Sequence, residues 1–419
     1  MGYIKNEKAS YFLKLVVAFF FIFGPYTWFV SASRIVYFFI LIPVFLFFTF
    51  RKEVVLNKTE VLSLLLLLMM FAIASVFPLY HETYDFTVPK AYLTLALESF
   101  LGVYILVRFI IRPQHLKDIL KVIVSVSLVQ ALFIYSMLIF VPIRNFIFSL
   151  SNNFDAKLDL VSRYGGFRGF GFAHSTTYDL SIFLSIALMA IVVLIYYEPK
   201  KALNYALIWL LIFPACMLSG RTGYFGVVFS IVLMVFGASN RGVRQLVYYL
   251  VLGSVVALPI LYFSFNDNDV FQRIINFVGE LFINIFLGEG ATTRSTEHLM
   301  TMYFPLPEKT ILLGDARYVD PDGLGYYMHT DAGYMREVLY FGIFPMLINV
   351  IFYMALHVSL FKVVPQTKVN QLFVILIFII FLLGQFKGSF FLNSAMNSKL
   401  YFFVIIGAIY ASKKQILTN

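Results

Sequence analysis

Two arginines and four glycines alternate with aromatic residues in Ser162-Arg163-Tyr164-Gly165-Gly166-Phe167-Arg168-Gly169-Phe170-Gly171-Phe172-Ala173-His174. Glycine lets backbone N–H groups come close to an anion, and a guanidinium fork matches phosphate oxygens two at a time. The rings between them offer faces for a sugar or a polyprenyl chain. Arg168, Arg163 and His174 are therefore candidates for holding a phosphorylated ligand; the alternative is a re-entrant turn with arginines at the head-group boundary. A second cluster, Ser219-Gly220-Arg221-Thr222-Gly223, is a short turn between two apolar runs. An arginine at the edge of hydrocarbon is costly unless paired or solvated, so Arg221 reads as functional, with snorkelling to the interface as the alternative.

Farther along, Gly288-Glu289-Gly290-Ala291-Thr292-Thr293-Arg294-Ser295 presents Arg294, and Leu313-Gly314-Asp315-Ala316-Arg317-Tyr318 presents Arg317. The segment Tyr326-Tyr327-Met328-His329-Thr330-Asp331-Ala332-Gly333-Tyr334-Met335-Arg336-Glu337 then runs into an apolar stretch. His329 or Asp331 can act as a base toward a hydroxyl while the other orients it, with Arg336 about one helical turn farther on. Asp331 is equally suited to cap the helix that follows. Asn266-Asp267-Asn268-Asp269 opens like a calcium loop but lacks the glycine and distal glutamate that such a loop needs. The single cysteine, Cys216, lies in an apolar run, which excludes a disulfide framework and a cysteine-based zinc site. No metal and no cofactor is expected.

The elements that must position these residues are set by composition. Of 419 residues, 61% are hydrophobic, 19% aromatic and 13% charged, with a mean hydropathy of +0.86. A water-soluble chain cannot hide that much apolar surface, so the chain is a helical bundle or a barrel in lipid. Runs such as Val61–Ala72 and Leu372–Leu383 lack the alternation of barrel strands, which leaves an all-α, polytopic membrane protein. Windows of roughly 17–25 residues predict about twelve transmembrane helices, near 11–30, 34–50, 60–79, 92–111, 119–141, 176–197, 203–218, 222–238, 245–265, 333–361, 369–386 and 398–412. The first run is read as a span and not as a cleaved signal peptide.

With a cytoplasmic amino terminus, the short loops on that side carry Lys5, Lys8, Arg51, Lys52, Arg112, Lys117, Lys200, Lys201, Lys362, Lys368, Lys413 and Lys414, among others. This is the positive-inside pattern, and an even number of spans makes both termini cytoplasmic. The same pattern accounts for the net charge of +10 without nucleic acid. The opposite side collects Arg34, Arg144, Arg163, Arg168, Arg221, Arg273, Arg294, Arg317 and Arg336, and holds the two long hydrophilic segments, 142–175 and 266–332. The whole chain, 1–419, is expected to form one integral membrane domain.

Taken in order, these pieces resemble the O-antigen polymerase and ligase superfamily of bacterial inner-membrane proteins, specifically the Wzy-type O-antigen polymerases. The resemblance rests on His329-Thr330-Asp331-Ala332-Gly333-Tyr334-Met335-Arg336-Glu337-Val338-Leu339-Tyr340-Phe341-Gly342-Ile343, on Arg168-Gly169-Phe170 with Ala173-His174, on Ser219-Gly220-Arg221, on Arg294 and on Leu312-Leu313-Gly314. It covers roughly residues 160–350; the first half is similar only in hydropathy. Where ligases of this superfamily carry His-Asn, this chain has Asp331-Ala332, which is more polymerase-like. The arginine–glycine spacing described for the periplasmic loops of some polymerases is absent from both loops.

The resemblance implies a GT-C-like glycosyltransferase. It would move a growing glycan from undecaprenyl diphosphate to the non-reducing end of an undecaprenyl-diphosphate-linked repeat unit at the periplasmic face of the inner membrane. Its partners would be that lipid-linked oligosaccharide, the bilayer and a chain-length regulator protein. Arg168, Arg221 and Arg294, with Arg317 and Arg336, would hold the diphosphate, while Asp331 or His329, and less readily Glu337, would activate the acceptor hydroxyl. An O-antigen ligase is the rival within enzymes. A lipid-linked oligosaccharide transporter would instead need ionisable residues at mid-bilayer, where the first seven spans offer little beyond Glu98.

Overall fold

The computed structural model describes residues 2–418 apart from 28, 152–153, 164–167, 174–176, 266–267, 289, 291 and 324. The chain is helical nearly throughout, as its apolar runs require. The principal helices are α1 (Gly2–Phe23), α2 (Ala32–Phe50), α3 (Lys58–Tyr80), α4 (Thr87–Ile111), α5 (Leu116–Ile139), α6 (Thr177–Tyr197) and α7 (Ala202–Ser219). They continue with α8 (Gly223–Phe236), α9 (Arg241–Phe265), α10 (Asp269–Phe286), α11 (Gly333–Phe341), α12 (Ile343–Val363), α13 (Lys368–Lys387) and α14 (Ala395–Thr418). A two-stranded hairpin, Tyr26–Thr27 with Val30–Ser31, is the one sheet among the described residues.

Nine helices among the described residues are long and apolar enough to cross a membrane, and α1 and α8 contribute shorter apolar stretches, Ala9–Phe23 and Gly223–Phe236. This is a multi-pass α-helical membrane protein. Its surface is apolar where a soluble protein would be polar: Phe38, Phe39, Phe50, Leu65 and Val76 are exposed. Its interior holds the polar residues instead, including Gln130, Asn349, His357, Asn370 and Gln385. Hydrocarbon solvent demands that inversion, because polar side chains find partners only inside the bundle. Helix α6 forms the axis, with 89% of its apolar window buried against 22% for α2.

Local chemistry sets the helix ends. The Asn57 side chain accepts the Glu60 N–H at 3.0 Å while Glu60 accepts the Asn57 N–H at 2.8 Å, a reciprocal cap that starts α3. Gly24-Pro25 ends α1 at Phe23, so the span expected at 11–30 is shorter and turns into the hairpin. The single span expected at 333–361 is also two helices. It breaks at Gly342, whose φ of +79° disfavours any side chain, opposite Gly314 at +65°. Gly342 lies against the Leu312–Leu313 backbone and Gly314 against that of Tyr340–Phe341, and the Asp315 and Ala316 N–H groups donate to the Leu339 and Tyr340 carbonyls at 2.7 and 2.9 Å. A hydrophobicity window sees no break because Phe341-Gly342-Ile343 is apolar throughout.

The long segment 266–332 is thereby tied to the bundle, and Asp85 ties it again. The Asp85 carboxylate, in the turn between α3 and α4, accepts the Tyr318 and Val319 N–H groups at 2.6 and 3.0 Å. Burial raises the pKa of this carboxyl, but its hydrogen bonds from Thr87, Val319 and Tyr318 lower it more, so the net shift is downward. A lowered carboxyl stabilises the fold above its unfolded value, about pH 4, and loses that contribution as the pH falls through its folded value. An Asp85→Asn variant is therefore expected to melt lower than the parent at pH 7, with the difference shrinking below about pH 4. Thermal melts of both proteins across that range check this; a gap that is constant with pH would contradict it.

Candidate functional site

The segments 142–175 and 266–332 meet at one end of the bundle, and the arginines gather there. Residues 168–173 wedge between α5 and α7. The Gly169 N–H donates to the Leu218 carbonyl at 3.0 Å, and the buried Gln130 amide accepts the Phe172 N–H at 3.2 Å. This sets Arg168 beside the turn that carries Arg221. That turn is pinned in its own right, since Ser181 Oγ donates to the Gly220 carbonyl at 2.7 Å.

Both guanidinium groups then meet one ring. Arg168 and Arg221 lie 5.4 and 4.5 Å from the centroid of Phe277, a buried residue of α10. Helix α10 is strongly amphipathic, as an interfacial helix is, and Asn268 caps it by accepting the Val270 and Phe271 N–H groups. One turn beyond Phe277, Glu280 forms an ion pair with Arg221 Nη2, while Arg221 Nε has no partner among the described residues. Lys387, at the end of α13, sits in the electrostatic field of both arginines. Two guanidinium groups thus converge under one helix with Lys387 in their field, and Glu280 covers part of the charge on Arg221.

Arg336 forms a second centre. It lies in the first turn of α11, is 4% exposed, and stacks between Tyr318 at 3.6 Å and Tyr326 at 3.4 Å. Its Nε and Nη2 have no hydrogen-bond partner among the described residues. Cation–π stacking offsets part of the cost of burying this charge, but leaving guanidinium N–H groups unpaired remains expensive. Oxygen acceptors brought by a ligand would satisfy them. Tyr178 joins the two centres: its hydroxyl lies in the field of Arg336, and its carbonyl accepts from Thr222 Oγ at 3.4 Å, next to Arg221.

Beside the Tyr318 cage a cavity of about 360 Å³ with charged residues in its lining opens at the same end, and Asp179 and Asn393 form the wall toward the cage. Asn393 donates to the Tyr318 hydroxyl, which links the two directly. The far wall holds Arg34, Glu98 and Lys399, with Glu98 3.5 Å from Arg34 and 2.8 Å from Lys399. Two cations thus face the carboxylates of Glu98 and Asp179. This cavity is close to charge balance, unlike the arginine centres.

The structure brings together Arg168, Arg221 and, through Tyr178, Arg336. Arg317 lies beside Tyr327 and Asp315, and no contact among the described residues joins it to the other arginines. The side chains of Arg163 and Arg294 and the whole of His174 fall outside the described residues. His329 and Asp331 are exposed at this end, in the strap before α11. Ala332, not Asp331, occupies the cap position of α11, and no side chain caps that helix. The capping alternative for Asp331 is corrected accordingly: Thr330 takes the local hydrogen bonds, accepting the Ala332 N–H at 3.2 Å and donating to the Met302 carbonyl at 3.0 Å. Glu337 is buried, and its oxygens accept from Gln385 at 2.7 Å and Asn349 at 3.1 Å, which holds α11 to α12 and α13.

Sequence reasoning missed Tyr318, Tyr326, Phe277, Glu280, Lys387 and Asp179. Tertiary contacts recruit most of them, and their local sequence carries no signal. Lys399 did carry one, because a lysine in the second turn of an apolar helix needs a buried partner, and Glu98 stands out in α4. Among the described residues no group of three or more His, Cys, Asp and Glu side chains is placed to hold a metal ion.

Fold and site together define a multi-pass helical membrane protein with a basic, aromatic-lined centre at one end. No protein-family model matches the chain, and neither a curated protein nor a solved structure does.

Proposed function

We propose that this protein is a membrane glycosyltransferase that polymerises a lipid-diphosphate-linked oligosaccharide, a Wzy-type O-antigen polymerase. The observation that carries the reading is Arg336, a buried guanidinium clamped by two tyrosines with two of its nitrogens unsatisfied. Arg168, Arg221 and Lys387 add charge nearby, which suits a diphosphate better than a single carboxylate. Arg294 and Arg317 remain secondary candidates for the same ligand. In this reading the chain crosses the inner membrane about twelve times in a GT-C-like arrangement, both termini face the cytoplasm, and the arginine end faces the periplasm.

The bond between the anomeric carbon and the diphosphate oxygen breaks, and undecaprenyl diphosphate leaves with the electron pair. The acceptor hydroxyl oxygen bonds to the anomeric carbon and its proton passes to a carboxylate. Asp331, exposed and free of capping duty, fills that role, with His329 two residues away to orient it. The neutral cavity lined by Asp179 and Asn393 receives sugar, while the arginines take the departing charge. Reconstitution with a purified undecaprenyl-diphosphate-linked repeat unit, without nucleotide, tests this: a ladder of longer products is expected, and unchanged substrate would overturn the reading.

Glu280 then acts as a stand-in anion that the diphosphate displaces from Arg221. A Glu280→Gln variant is expected to bind undecaprenyl diphosphate several-fold more tightly, because the ligand no longer competes with a carboxylate. Titration of the purified protein with that lipid checks it. Weaker binding in Glu280→Gln would instead make Glu280 a positioning partner of Arg221.

A further inference from the structure

At the opposite end of the bundle from the arginines, a cavity of about 820 Å³ opens between α1, α5, α6 and α7. Its lining includes five cations, Lys14, Arg112, Lys117, Lys121 and Lys201. Glu198 engages Lys121 at 2.5 Å and Lys201 at 2.9 Å, and Asp118 is occupied as the cap of α5, accepting the His115 N–H at 3.0 Å. No carboxylate among the described residues pairs with Lys14, Arg112 or Lys117. Lys14 and Lys117 are nevertheless half-buried. Lysines that serve only to orient a chain sit in water; these line a hollow.

The cavity changes character with depth. Val124, Leu128, Leu194 and Ile208 line its inner part. Leu128 lies twelve residues into α5 from Leu116, about 18 Å along the helix axis. The apolar lining on α5, Val122 to Leu128, covers about 9 Å of that length, and a basic mouth over such a trough matches a molecule with an anionic head and the first part of a hydrocarbon tail.

The geometry points to a binding site for an anionic glycerophospholipid, its phosphate at Lys14 and Lys117 and one acyl chain along Val124, Leu128 and Ile208; Arg112 borders the mouth, with its guanidinium donating to the Phe109 carbonyl at 3.1 Å. In the orientation proposed above this lipid belongs to the cytoplasmic leaflet, where basic pockets between helices recognise such head groups. The site stands apart from the glycosyltransferase reading, needs no activity for its test, and survives if that reading fails.

The test is thermal stabilisation of the purified full chain in neutral detergent, titrated separately with phosphatidylglycerol, phosphatidylcholine of the same chains, and inorganic phosphate. A ligand that binds only the folded state raises the melting temperature with saturation. Phosphatidylglycerol is expected to do so at concentrations where the other two do not. A Lys14→Gln/Lys117→Gln variant should need roughly 10-fold or more phosphatidylglycerol for the same shift, whereas Lys362→Gln/Lys368→Gln, which removes two lysines outside the cavity, should match the parent. Should the first variant not fold, Ile208→Trp, which fills the trough, is expected to lose the response as well. Equal responses to both lipids overturn the site, as does an unaltered response in Lys14→Gln/Lys117→Gln or Ile208→Trp. A response to phosphate alone equal to that to phosphatidylglycerol overturns the lipid assignment in favour of a soluble phosphate.

Discussion

An Arg336→Lys variant is expected to lose roughly 100- to 1,000-fold in polymer formation while still inserting into the membrane. Lysine keeps the charge but cannot lie flat between Tyr318 and Tyr326, and it offers one rotating ammonium where arginine offers a planar fork. An Arg336→Met variant sharpens the test. Methionine fills the tyrosine slot without a buried charge, so the protein should melt at or above the parent temperature in the absence of lipid. Undecaprenyl diphosphate should then stabilise the parent far more than the methionine variant, which keeps only Arg168, Arg221 and Lys387. A structural arginine would show the reverse, with Arg336→Met melting lower and both proteins responding to the lipid alike. Full-length polymer from either variant would remove Arg336 from the site.

The second large effect is expected at Asp331. Asp331→Asn keeps the shape and removes the proton acceptor, so polymerisation should fall by roughly 100- to 10,000-fold, the range for loss of a general base. Stability should hardly change, because Asp331 is exposed and does not cap α11. Binding of undecaprenyl diphosphate should persist, since the arginines are untouched. Kinetics in the reconstituted system separate the two roles: loss of turnover with lipid binding intact supports a base, and normal chain lengths from Asp331→Asn would assign the proton elsewhere. Asp179, on the cavity wall beside Tyr318, is then the next carboxylate to test.

Glu280 and Phe277 show where sequence reasoning ran out. Nothing in the local sequence of α10 says that Phe277 packs on two arginines more than fifty residues away in the chain. Glu280 reads as one more polar residue on the wet face until α10 is folded over the turn at Arg221. The same limit explains Gly342. Its role depends on the Leu312–Leu313 backbone pressing against it from a separate segment, and single-chain hydropathy contains no such information.

Hydropathy by itself determined that this chain is an all-helical bundle in lipid, because only helices and closed barrels satisfy a backbone in hydrocarbon and its apolar runs lack the alternation of barrel strands. The spacing of charges, again without coordinates, pointed to arginine-rich segments as the place to look. Only the tertiary structure decided which arginines work together. It placed Arg168 and Arg221 on one ring, left Arg317 apart, and promoted Arg336 from a secondary candidate to the centre of the site. It also decided that Glu98 is matched by Lys399, three hundred residues away. Periodicity is a property of neighbours along the chain, whereas burial and charge compensation are properties of neighbours in space, and folding alone creates those.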